Sequence, residues 1–480
     1  MKAVGNRIAA MASSLDRACT RLRLPLGMAS ALLLAALIAL HNISSGPLHN
    51  LNDIGGWHNR ALFIAMTACV HLAAMGCAAA MGKVRFSRVL LRQLILTAGV
   101  YILLQGINQK TFAYVTQVQP IVRAMDEGGL AAGLAMGSSL SAPALTLLYL
   151  ITRGPVYDMY LVKLFAIACL LGLSLLAAYA ADRNELGIRA EALLALCMIL
   201  PQGFLNAACT AHIEIAAALL TAVSLALSLS DRPRMRGAWL CLGAAAALSG
   251  AALYALPVLL YRARGAQAEW RFAGIAAAIP LAACIPAILC GMGAGEAIAS
   301  LFHAQLAVPD VAGGAPNLLS ILPRANPMET TAAFMLGRLE AVDLVTNAQP
   351  FYTQAHFEQM ALGLSLAGLA LYMGACALAW RSEKPALHRG LMLLLAALIC
   401  CPAATTSCWL LADIACLYAI LAAPALRLPA CLVLFATAGG SCYPALGETL
   451  LPPMAAFLLC LIAACMLFDV IPMGVKARKE

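Results

Sequence analysis

YLVKLFAIACLLGLSLLAAYAA, Tyr160 to Ala181, holds a single charged residue, Lys163, in a run as long as the ~20 residues of α-helix that cross a hydrocarbon core. Apolar runs of similar length recur at Ala61–Met81, Phe272–Cys290, Met360–Trp380 and Pro453–Asp469, and each reads as a membrane span. The whole chain has the same character: of 480 residues, 63% are hydrophobic and 11% charged. Its mean hydropathy is +0.87. Soluble domains carry about 25% charged residues, so these few charges cannot cover a water-facing surface. The expected class is an all-α, polytopic integral membrane protein with no sizeable soluble domain.

The net charge of +9 does not point to nucleic acid, because Lys and Arg fall in short loops between apolar runs, the positive-inside pattern. The clusters are Lys2 to Arg23, Lys83/Arg85/Arg88/Arg92, Arg183/Arg189, Arg232/Arg234/Arg236, Arg262/Arg264/Arg271, Arg381/Lys384/Arg389, Arg427 and Lys476/Arg478/Lys479. They place both termini on the cytoplasmic side and make the number of crossings even. Strict alternation of all apolar segments puts the clusters after residues 181 and 261 on the wrong side. The simplest repair lets Leu140–Thr152 and the segment around Ser249-Gly250 enter and leave on one face, which leaves about twelve crossings. Short segments interrupted by small residues are where irregular backbone lines cavities, so both are expected cavity walls.

Two regions on the opposite face are long enough to matter, Asn108–Ser139 and Gly293–Glu358. The second reads as a loop with Pro309, Pro316, Pro323 and Pro327, followed by a helical stretch Glu329–Leu344. No internal repeat or linker divides the chain. The expected organisation is a tail and two-span hairpin over 1–88, a membrane domain over 89–475 and a basic tail over 476–480. The 18 cysteines lie almost entirely in apolar runs without C-x-x-C spacing, so they read as small hydrophobes and no metal site is expected. The basic N-terminus followed by an apolar stretch reads as an uncleaved first span.

Ionisable residues in or beside spans are costly and carry function by default. The strongest constellation is Asn206-Ala-Ala-Cys-Thr210-Ala-His212-Ile-Glu214. His212 and Glu214 diverge by about 200° on a helix, so they share a site only if the backbone turns there; a polar turn between helices is the plain alternative. Asp413, among Leu410, Leu411 and Ile414, fits a helix–helix hydrogen bond better than a catalyst. Asp126-Glu127 before Gly128-Gly129 reads as an exposed pair in a loop. Lys163 is expected to snorkel to the interface or to pair with Asp158. No P-loop, G-x-G-x-x-G, H-E-x-x-H or G-x-S-x-G stands in the chain, which argues against ATPases, dinucleotide enzymes and zinc proteases.

From about residue 93 to 445, the order of elements resembles the bacterial GT-C-type membrane glycosyltransferases, relatives of mannosyltransferases that use polyprenyl-phosphate sugars. The residues that carry the resemblance are Leu205-Asn206-Ala207-Ala208 after Pro201, Pro257, Ala315-Pro316-Asn317-Leu318, and Leu411-Ala412-Asp413 after Pro402. It implies a GT-C-like bundle with two outer-face loops closing over a cavity, in a bacterial inner membrane. It also implies membrane lipid and a polyprenyl-phosphate-linked sugar as partners, with a divalent cation if the chain is catalytic. Asn317, Asn206 and Asp413 become expected substrate contacts.

The chain departs from the family where the chemistry sits. Transfer from a lipid phosphate needs an acidic group to bind metal or deprotonate the acceptor, and cations to stabilise the departing phosphate. No Asp or Glu stands between Asp53 and Asp126. The family's His-Glu-Arg is replaced by Thr405-Thr406-Ser407, and its F-K-x-Q helix by Leu248–Pro257. Glu214, His212, Asp126 and Glu127 remain as acid/base candidates. Three readings stay open: a transferase, a non-catalytic relative that binds lipid-linked glycan or scaffolds its assembly, and a lipid or small-molecule transporter.

Overall fold

The computed structural model describes residues 114–471 except 137–139, 154–157, 184–192, 194–195, 199, 204, 206, 208–211, 230–233, 264–269, 307–314, 322–353, 401–405 and 442–450. The N-terminal hairpin, the C-terminal tail, Asn206 and the stretch Glu329–Leu344 lie outside the described residues. What is described is all helical, with no strand.

A π-helical turn, Tyr114–Val118, leads into α1 (Gln119–Ala135), and α2 (Ala142–Thr152) and α3 (Asp158–Arg183) follow. Next come α4 (Ile215–Leu229), α5 (Met235–Leu248), α6 (Leu256–Ala263) and α7 (Trp270–Ala283). Helices α8 (Ala294–Leu306), α9 (Gln354–Arg381), α10 (Ala386–Cys400), α11 (Thr406–Ala422), α12 (Arg427–Ser441) and α13 (Pro453–Leu467) complete the order.

The chain is a multi-pass membrane protein. Among the described residues four helical stretches are long and apolar enough to cross: Leu161–Ala181, Phe272–Leu289, Gly363–Arg381 and Pro424–Ser441. The expected spans ahead of residue 114, Ala61–Met81 among them, lie outside the described residues. Among the described helices, α10 and α13 have 15 residues each, about 22 Å at 1.5 Å per residue, short of a core about 30 Å thick. Helix α2, with 11 residues, is shorter still, in keeping with a segment that does not cross.

The anticipated break at Ser249-Gly250 is present. Helix α5 stops at Leu248, Ser249 is extended (φ −153°, ψ 124°), and a 3₁₀ stretch runs from Gly250 to Ala255 before α6. Pro257 explains why the chain restarts there: without an N–H it is tolerated in the first turn of α6 but not in the middle of one continuous helix. Ser141 fixes this break from outside. It caps α2 by accepting from Ala144 N at 3.2 Å, and its hydroxyl lies 2.8 Å from Ala247 O and 3.2 Å from Leu248 O. Helix-end carbonyls that a continuous helix would satisfy find a partner in this hydroxyl.

Packing relies on small residues where helices meet. A Cβ on Gly243 of α5 would lie 2.5 Å from the Ala276 carbonyl of α7, so these backbones approach as closely as glycine permits. The largest core cluster joins α3, α4 and α9 to α13, and a second joins α1, α2 and the start of α3 around Tyr114, Leu148 and Ile213. At the far end of α13, Lys384 Nζ donates to Leu467 O at 2.6 Å and pairs with Asp469 at 2.7 Å. A cation at a helix C-terminus satisfies carbonyls that the helix leaves open.

Two expectations about charged residues are corrected here. Lys163 does not snorkel: it is fully buried, with its ammonium 5.8 Å from the centre of the Tyr114 ring. The side chain of Asp158, its expected partner, lies outside the described residues. Asp126 and Glu127 stand on a helix rather than in a loop, both exposed on α1 just ahead of a kink at Gly129. Gly129 sits at φ 72°, ψ −165°, a conformation that an L side chain would strain.

Candidate functional site

Where α4, the Ser249–Ala255 break, α10 and α11 meet, they leave a cavity of about 290 Å³. Most of its wall is hydrocarbon, with Leu225, Val258, Leu391, Leu394, Leu398 and Leu411 supplying the bulk. The helix break makes the room: Ser249, Ala252 and Ala255 present small side chains where a continuous helix would place its own packed face. Tyr254 lines the same wall, and the Tyr372 hydroxyl of α9 donates to its carbonyl at 2.8 Å. The two rings meet edge-on with centroids 6.5 Å apart.

Glu214 is the one charged side chain among the described lining residues. It occupies the turn that starts α4, and its own carbonyl accepts from Ala217 N and Ala218 N at 2.9 and 3.2 Å. A carboxylate beside a helix N-terminus is favoured by the helix dipole. Thr221, one turn further along the cavity face, donates its hydroxyl to Ala217 O at 2.8 Å.

The backbone does turn at His212–Glu214, as sharing a site would require, yet the two side chains face different surroundings. Ile213 between them is buried in the α1–α2 core, and His212 is not on the cavity wall. His212 Nε2 is buried with no hydrogen-bond partner among the described residues, and burial pushes the imidazole pKa down to about 4. His212 is therefore a neutral packed ring at physiological pH.

The remaining sequence candidates are dispersed. Asp126 and Glu127 are exposed on α1 and do not line the cavity. Asn317 is buried and shapes a turn: its Oδ1 accepts from Leu319 N at 3.0 Å, its carbonyl accepts from Ser320 N at 2.9 Å, and Ser320 Oγ donates to Ala315 O at 2.8 Å. Asn317 thus caps the 3₁₀ helix Leu318–Ile321, a role its side-chain oxygen suits. Asn206 and the Thr405–Ser407 side chains lie outside the described residues.

Asp413 points away from the cavity that Leu411 and Ala415 of its own helix line. It is fully buried, and its Oδ1 accepts from Thr437 Oγ1 of α12 at 2.7 Å. Gln202 Nε2 reaches the Thr437 carbonyl at 3.3 Å. This is the interhelical hydrogen bond that the position of Asp413 among leucines leads one to expect. Its other oxygen, Oδ2, is buried with no hydrogen-bond partner among the described residues.

Sequence reading pointed to the Ser249-Gly250 segment as a cavity wall but missed Thr221 and Tyr254 on it. Their signal is absent from the chain because each is an ordinary residue of an apolar helical stretch, and only the packing of the break beside α4 puts both on one cavity wall. Among the described residues no three of His, Cys, Asp and Glu gather as a metal site, and Glu214 has no second carboxylate on the cavity wall.

Searches against known proteins give no family name: no family model, no curated protein and no solved structure matches the chain. What the chain and its fold establish together is an all-α, multi-pass membrane protein with an apolar cavity that has Glu214 on its wall.

Proposed function

We propose that this protein handles a sugar carried on polyprenyl phosphate at the outer face of a bacterial inner membrane, on a GT-C-like scaffold. The observation that carries the reading is the hydrocarbon-lined cavity of about 290 Å³ with Glu214 on its wall. A cavity of this size stands at the lower end of ligand pockets, about 300–1,000 Å³, and suits part of a lipid rather than a whole polar metabolite. Glu214 is the group with which a transferase would deprotonate an acceptor hydroxyl, and such a base contributes about 10²–10⁴-fold.

A second reading has its own support. No Lys, Arg or His appears among the described lining residues, and charge on a departing phosphate calls for such groups. That favours a non-catalytic relative that binds the lipid-linked glycan without cleaving it.

One experiment separates the two. Purified protein in lipid nanodiscs is given a radiolabelled polyprenyl-phosphate hexose, and both retention of the lipid and transfer of the label to endogenous lipid or added glycan are followed. Transfer that Glu214→Gln abolishes establishes the enzyme. Retention without transfer in the wild type establishes the binder. If the lipid is neither retained nor consumed, lipid-linked sugar handling is wrong.

A further inference from the structure

Ala386 is the one exposed residue among the described lining residues of the cavity, so the cavity reaches the surface at the first turn of α10. Gly390, one turn further along, lines the same wall, and a Cβ built on it would meet nothing within 4 Å. On its cavity side, this end of α10 borders open space. What holds it lies on the other side, at the end of α13.

Lys384, two residues ahead of Ala386, is the hub. Its Nζ donates to Leu467 O at 2.6 Å and pairs with Asp469 Oδ2 at 2.7 Å. His388 is buried, with Nε2 2.9 Å from the same carbonyl and 3.2 Å from the ammonium. A carbonyl oxygen only accepts and has two lone pairs, so it takes both donors and Nε2 carries the ring hydrogen. Residues two apart on a helix diverge by about 200°, so His388 faces away from Ala386 and Gly390. The clasp therefore draws the first turn of α10 toward α13, away from the cavity.

Asp469 adds an observation of its own. Helix α13 closes with Asp469 N donating to Met466 O at 3.2 Å and Val470 N to Cys465 O at 2.9 Å. That is a Schellman closure, whose left-handed position is usually glycine. Here it is an aspartate at φ 59°, the one non-glycine residue at positive φ among the described residues. The closure by itself favours glycine, and what aspartate adds is the carboxylate that meets Lys384. A side chain held in a sparsely populated backbone conformation points to a use for that side chain. The pair is also easily released, because Asp469 is 64% exposed and ion pairs that meet solvent stabilise little.

We propose that Lys384, His388 and Asp469 form a gate that props open the mouth of the cavity. With the clasp formed, the first turn of α10 stands against α13 and an apolar chain can enter past Ala386. With the clasp released, that turn settles into the space beside Gly390 and closes the mouth. The gate rests on the lipid-handling reading only for naming the chain that passes it.

The test reads entry of an apolar chain without any sugar lipid. A C12 chain bearing a diazirine is added to the full-length protein in nanodiscs and illuminated. Adducts on the cavity residues Leu394 and Leu398 are quantified by mass spectrometry relative to those on Leu366 and Leu371, exposed leucines of α9. Asp469→Gly removes the ion pair yet suits φ 59°, so it should keep the melting temperature of the wild type. It should lower the cavity ratio by about two- to fivefold, the shift that loss of one partly exposed ion pair allows. Lys384→Met also gives up the bond to Leu467 O and should lower the ratio further, whereas Lys384→Arg keeps charge and donors and should stay near the wild type.

A ratio that Asp469→Gly and Lys384→Met leave unchanged or raise overturns the inference, and Asp469→Gly decides alone if Lys384→Met does not fold. Absence of adducts on Leu394 and Leu398 in the wild type overturns it too, since the mouth would then be closed with the clasp formed. A ratio that follows the clasp in a protein that neither retains nor consumes the polyprenyl-phosphate hexose upholds the gate and removes the lipid-linked sugar reading. Retention of that hexose with a ratio indifferent to the clasp does the reverse.

Discussion

Glu214 and Asp413 are both carboxylates set among leucines, and they sit in opposite circumstances. Glu214 stands at the start of α4 on the wall of a cavity, whereas Asp413 lies mid-helix, fully buried, with one oxygen on Thr437 Oγ1 at 2.7 Å. The first can meet a ligand, and the second can meet only the neighbouring helix. An acidic residue in an apolar segment is thus sorted by what the backbone does around it. A break in a helix leaves space beside Glu214, and continuous helices close on Asp413.

The sharpest way to break this contrast is to neutralise each carboxylate without changing its shape. Glu214→Gln should reduce glycosyl transfer, measured with labelled polyprenyl-phosphate hexose, by about 10²–10⁴-fold, and should leave the melting temperature close to that of the wild type. Asp413→Asn keeps an oxygen for Thr437 and should leave transfer within about twofold. The opposite result, with transfer lost in Asp413→Asn and kept in Glu214→Gln, would exchange the roles.

Energetically the contrast reverses. Asp413→Ala should destabilise the protein by about 1–3 kcal/mol, because it strips Thr437 of a buried partner. Part of that loss is offset, since the same Thr437 hydroxyl lies 3.1 Å from Leu434 O. A double-mutant cycle with Asp413→Ala and Thr437→Val, read by thermal unfolding in one detergent, isolates the pair. Its coupling is expected at about 0.6–1.7 kcal/mol, the range of hydrogen bonds between membrane helices. A coupling of zero would mean that the 2.7 Å contact contributes nothing to stability.

His212 sharpens the comparison from the other side of the Glu214 turn. Its imidazole is held down at about 4 by burial, so the folded protein keeps it neutral while an unfolded chain protonates it near 6.5. The unfolded state therefore binds more protons as pH falls from about 6.5 to about 4, and stability present above 6.5 is lost through that window. The melting temperature should fall by a few degrees between pH 7 and pH 5, and His212→Asn should flatten that slope. An unchanged slope in His212→Asn would place the imidazole in water.

The class of this protein is legible in its sequence because membrane insertion is written in composition: long apolar runs such as Tyr160–Ala181 admit one interpretation. The break at Ser249-Gly250 is legible because the basic clusters alternate only if that segment does not cross, and because Pro257 cannot stand in the middle of a continuous helix. The number of crossings is not legible, because hydropathy marks an apolar run without showing where its helix ends, and α10 and α13 end after 15 residues. Lys163 is misjudged for a different reason. Its cover includes Tyr114, from a π-helical turn some fifty residues earlier, and no local pattern announces a contact so distant in the chain. Within the candidate site, Glu214 could be named from its position at a helix start, whereas its separation from His212 depended on where the turn pointed Ile213.

The smallest effect belongs to the acidic pair that sequence reading ranked beside Glu214. Asp126 and Glu127 are exposed on α1, and neither contributes to the cavity wall. Surface substitutions of this kind usually move stability by no more than about 0.5 kcal/mol. The double substitution Asp126→Asn, Glu127→Gln should leave transfer of the labelled hexose within about twofold of the wild type. A large loss of transfer, with the melting temperature unchanged, would bring α1 into the reaction from outside the cavity and would make Asp126 or Glu127, beside Glu214, a group that the transfer needs.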